Sequence, residues 1–88
     1  MNKRSLKKNI NFLAGELAAE CVAHVNYGNA SNLEDVDNVL KSILLLQDEM
    51  IKRLSHIEPG NTKQFFKKLR EDLINGTDQI VEQIKALN

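Results

Sequence analysis

Eighty-eight residues, 42% hydrophobic and 27% charged, describe one small folded unit and exclude a disordered or low-complexity segment. Twelve Lys and Arg balance twelve Asp and Glu, so no net charge draws the whole chain to nucleic acid or membrane, and any such attraction is local. Cys21 is the only cysteine, which rules out an intrachain disulfide and suits a reducing, cytoplasmic setting.

The first predicted helix covers about residues 5–26. At ~100° per residue, Leu6, Ile10, Leu13, Leu17, Cys21 and Val25 make one apolar stripe, widened by Ala14, Ala18 and Val22. Lys3, Arg4, Lys7 and Lys8 ahead of an apolar stretch imitate a signal peptide, but Glu16 interrupts that stretch and Asn9 and Asn11 dilute it. Phe12 lies off the stripe, on a face with Ala19 and Ala23, where small neighbours admit another helix. Gly28 suits a left-handed cap after this helix.

The second predicted helix spans about residues 32–57 and opens on a capping box formed by Ser31 and Glu34. Glu34, Asp35 and Asp37 sit at the positive end of its dipole, and Lys52, Arg53 and His56 at the negative end. Leu33, Val36, Val39, Leu40, Ile43, Leu44, Leu46, Met50, Ile51, Leu54 and Ile57 cover an arc wide enough for two neighbours. Gln47 falls inside that arc and requires a hydrogen-bond partner there. Leu45 projects from the opposite side, where the bundle has no use for it. Pro59 ends the helix and Gly60 lets the chain reverse.

Asn61 or Thr62 caps a third predicted helix over about residues 62–87. Its stripe is Phe66, Leu69, Leu73, Ile80, Ile84 and Leu87, with Phe65, Ile74 and Val81 alongside. The apolar register is unchanged across Gly76, so the helix is expected to continue through it. Short connections favour antiparallel neighbours. The expected fold is all-α, an antiparallel up-down-up three-helix bundle forming a single domain over residues 1–88. No window approaches the ~18 apolar residues of a membrane-spanning helix.

In such a bundle one pole collects Lys3, Arg4, Lys7, Lys8, Lys52, Arg53, Lys63, Lys67, Lys68 and Arg70. Residues 1–13 and 47–72 hold ten basic and five acidic side chains, and the remainder two basic and seven acidic, so the poles carry +5 and −5. Lys3, Arg4, Lys7, Lys8, Lys63, Lys67, Lys68 and Arg70 are the candidate anion contacts, for nucleic acid or acidic lipid. Against this, Asp48–Lys52, Glu49–Arg53, Lys67–Glu71 and Lys68–Asp72 have the four-residue spacing of ordinary surface pairs, and no spare aromatic offers base stacking.

Catalytic patterns are missing. Cys21 and His24 are too few for a structural zinc, which takes four ligands. Gly15, Gly28, Gly60 and Gly76 are too scattered for a phosphate loop. No metal or cofactor is expected. The sequence points to a non-enzymatic cytoplasmic interaction or adaptor module whose partner is another protein or a second copy, with Phe12 and Leu45 as candidate contacts.

Overall fold

Apolar side chains recurring every three or four residues gain most when each helix turns that stripe toward the others, and the computed structural model shows this arrangement. The structure describes residues 3–27, 33–57 and 60–87, with only the backbone of Asn26 and Tyr27. The helices are α1 (Lys3–Tyr27), α2 (Leu33–Leu54) and α3 (Thr62–Lys85). α1 begins two residues earlier than the periodicity implies. α2 ends at Leu54 rather than near Ile57, where Ser55 and His56 tighten into a turn with bonds to the Ile51, Lys52 and Arg53 carbonyls. α3 passes through Gly76 without a break. The expected Gly28 cap, the Ser31 capping box and the Pro59 stop lie outside the described residues.

The core settles the topology. Leu6 and Ile10 of α1 meet Met50 and Leu54 of α2 and Leu69 and Leu73 of α3 in one cluster. Leu17 and Cys21 meet Val36, Val39 and Ile43, with Ile80 and Ile84, in the other. Ascending α1 thus matches descending α2 and ascending α3, an up-down-up three-helix bundle of 49 × 17 × 15 Å. Gly60, at φ +94°, takes a left-handed backbone that a Cβ would oppose, and so turns the chain into α3. Asn61 occupies the N-cap position of α3 but makes no side-chain capping bond. The edge-to-face pair Phe65–Phe66, with centroids 5.5 Å apart, closes the core at this end.

Two contacts fix how the helices approach. Leu46 packs against both core clusters. It presses on the bare backbone of α3 so closely that a Cβ at Gly76 would lie 2.6 Å from its Cδ1. On the other side of α2, Gln47 Nε2 donates to Asn11 Oδ1 at 2.9 Å, which supplies the partner that a polar residue in an apolar arc requires. Beside them Thr77 Oγ1 is buried with no hydrogen-bond partner among the described residues, a weak point in an otherwise apolar interior.

The arc of α2 is narrower than its sequence implies, because Leu33 and Leu44 are exposed along with Leu45. Val22 of α1 and Ile74 of α3 are also exposed rather than packed beside their stripes. α1 and α3 both lean on α2 and touch each other least, so residues facing that third seam are left uncovered.

Alanine at position 76 gains about 1 kcal/mol of helix propensity but displaces Leu46, an overpacking cost of about 1–3 kcal/mol. Gly76→Ala is therefore expected to destabilise the wild type in urea denaturation and to stabilise a Leu46→Ala background. The same sign in both backgrounds would mean that Leu46 does not rest on Gly76.

Candidate interaction surface

The antiparallel course of α2 brings its C-terminal end beside the N-terminal ends of α1 and α3, so the expected basic pole forms. Part of it is neutralised. Arg53 Nη1 reaches Asp72 Oδ2 at 2.8 Å from α2 to α3, and Lys68 Nζ reaches Asp72 Oδ1 at 3.2 Å. Lys52 pairs with Asp48 at 2.9 Å, a bond that raises the Lys52 pKa. The anticipated Glu49–Arg53 and Lys67–Glu71 pairs do not form, because Arg53 turns inward to α3 and Lys67 stays in solvent. Among the described residues Lys3, Arg4, Lys7, Lys8, Lys63, Lys67 and Arg70 have no ion-pair partner. Of the eight candidate anion contacts, only Lys68 is engaged.

Phe12 and Leu45 are both exposed, at 66% and 70%, but the fold sends them to different sides. Leu45 stands over the α2–α3 seam among Ser42, Glu49, Gln79 and Gln83, a polar setting in which one leucine is unremarkable. Phe12 lines a groove of about 290 Å³ between α1 and α3, with Leu6, Leu13 and Leu73 beneath it and Arg70 at one end. Ile74, 58% exposed, rises from the opposite rim. The seam continues past Leu13 into a second groove of about 300 Å³, where Glu16, Glu20 and His24 of α1 face Val81 and Lys85 of α3.

Ile74 was not singled out by its sequence position, which neighbours the α3 stripe. What uncovers it is the thin contact between α1 and α3, which no single-helix projection contains. A third groove, of about 400 Å³, runs along α1 and α2 beneath exposed Leu44, with Gly15 and Ala18 in its wall. The α1–α3 groove carries a large exposed apolar side chain from each helix, Phe12 and Ile74.

Cys21 is 0% exposed and burial pushes its thiol pKa up, so it remains protonated and out of reach. His24 is half-buried at the α1–α3 seam, in the groove it shares with Glu16 and Glu20. Among the described residues no three His, Cys, Asp or Glu side chains gather as a metal site, and no helix is long and apolar enough to cross a membrane. No protein-family model, curated protein or solved structure matches the chain.

Hydrogen bonds from Arg53 first, then Lys68, hold the Asp72 carboxyl below its ordinary value. A carboxyl with a folded pKa below its unfolded one stabilises fully above the unfolded value, about 3.9, and loses that stabilisation as pH falls through the folded value. The stability gap between wild type and Asp72→Asn is therefore expected to be constant from neutral pH to about pH 5 and to close in more acid solution. Urea titrations across pH measure it, and a gap that ignores acidification would show that the carboxylate charge is not its source.

Proposed function

We propose that this chain is a non-enzymatic helical module that works by docking another protein surface on the α1–α3 seam. The observation that carries this is the pair Phe12 and Ile74, exposed on opposite rims of one apolar groove. Burying an aromatic and an aliphatic anchor of this kind contributes about 1.5–3 kcal/mol per side chain, and such anchors dominate interface energetics. Support for a non-catalytic role comes from the placement of the reactive groups. Cys21 is sealed in the core, Asp72 is committed to Arg53 and Lys68, and Glu16 and Glu20 are exposed on the wall of an open groove. A protonated, buried, solitary thiol is compatible with a cytoplasmic setting.

A benzophenone-bearing phenylalanine analogue at position 12 is expected to yield covalent protein adducts in the native cell, while the same probe at position 45 yields few. Absence of adducts from position 12 would remove the proposal.

A second reading is favoured by the seven cations at the basic pole that are unpaired among the described residues. There an anionic polymer or acidic lipid binds, and affinity falls steeply as salt rises. Fluorescence anisotropy with labelled DNA and RNA, and sedimentation with acidic vesicles, are expected to show binding that added salt abolishes. Flat titrations at low salt would dismiss it.

A further inference from the structure

Along α1 the residues Arg4, Lys8, Phe12, Glu16 and Glu20 recur every fourth position, and all five are exposed. Side chains four apart adjoin on a helix surface, so these make one continuous ridge. It winds about 40° around α1 at each step, with Lys8, Phe12 and Glu16 sharing a face and Arg4 and Glu20 carried onto opposite flanks. Two cations precede Phe12 and two carboxylates follow it at matching separations, which makes the ridge antisymmetric about the phenylalanine. Neighbouring charges within it repel, Arg4 against Lys8 and Glu16 against Glu20. The nearest opposite charges, Lys8 and Glu16, are about 12 Å apart along the axis, with Phe12 between them. Among the described residues none of the four has an ion-pair partner. The cations also crowd the positive end of the α1 dipole, where the first turn contains no acid.

The complement of this pattern is the same pattern reversed. We propose that a second copy of this chain docks antiparallel on the α1 ridge, about a two-fold axis through Phe12. Rotation about that axis brings the two Phe12 rings together and sets Lys8 against the partner's Glu16, while Arg4 and Glu20 flank the contact. The Lys8–Glu16 pair occurs twice, as an isologous interface requires. Short side chains at Ser5, Gly15 and Ala19 beside the ridge admit close approach, and a Cβ added at Gly15 would meet nothing within 4 Å. Arg70 lies across the groove from Phe12, and Lys85, which faces Glu16 and Glu20, is itself paired with Glu82 at 3.6 Å. A parallel copy would set cation on cation.

This inference rests on the docking proposal for Phe12 and names the occupant. Sedimentation at low salt across the micromolar range is expected to show a dimer whose dissociation constant rises about tenfold or more in Lys8→Glu and in Glu16→Lys. The double variant Lys8→Glu, Glu16→Lys restores dimerisation, because a two-fold interface pairs position 8 with position 16. Mixing the two single variants likewise yields a heterodimer that neither forms alone. Single reversals without effect, or a double variant as weak as the singles, would overturn the arrangement. A monomeric wild type whose position-12 probe captures only other proteins would overturn the second copy and leave the docking proposal standing. A monomer with no adducts would overturn both. Dimerisation lost in Phe12→Asp but insensitive to both charge reversals would sink the antiparallel register alone.

Discussion

Leu46 seated on the bare backbone at Gly76 sets the spacing on which the rest of the bundle depends. The leucine packs against both core clusters, so it ties the two ends of the interior at the level of Gly76. The Gln47–Asn11 bond holds α1 to the other flank of α2. α2 thereby becomes the shared neighbour, and α1 and α3 meet along a thinner seam. Phe12 and Ile74 are uncovered there because the bundle has spent its close packing on the other two seams.

Electrostatics follow from the same topology. α2 places Glu34 and Asp35 in its first turn and Lys52 and Arg53 in its last, in accord with its dipole. α1 and α3 have no acid in their first turns and carry their cations there instead. Because these two helices run parallel, their unfavourable ends lie together, beside the basic end of α2. Asp72 relieves part of this by accepting from Arg53 and Lys68 at once. The cations on the outer faces of α1 and α3 have no equivalent acceptor among the described residues, so this end of the molecule retains an unmet demand for negative charge.

Much of this was legible from residue spacing. The three stripes, the continuity through Gly76, the exposure of Phe12 and Leu45, and the need of Gln47 for a partner all follow from periodicity on single helices. Relations between helices do not. Arg53 chooses Asp72 over Glu49, nineteen residues away in sequence against four, because the crossing of α2 and α3 places a half-buried carboxylate closer than the next turn does. Ile74 and Leu44 lie near apolar arcs but stay exposed on the walls of grooves beside α1. The charge order around Phe12 is visible in the sequence, yet it has meaning only once Phe12 is known to face solvent.

The complete enclosure of Cys21 has a practical corollary. The sole sulfhydryl sits amid Leu17, Ile43, Ile80 and Ile84 in the cluster remote from the cationic pole, and no alkylating reagent reaches it while that half of the bundle is closed. Its labelling rate is therefore a built-in clock for the opening of one half of the molecule, readable by mass without any engineered tag.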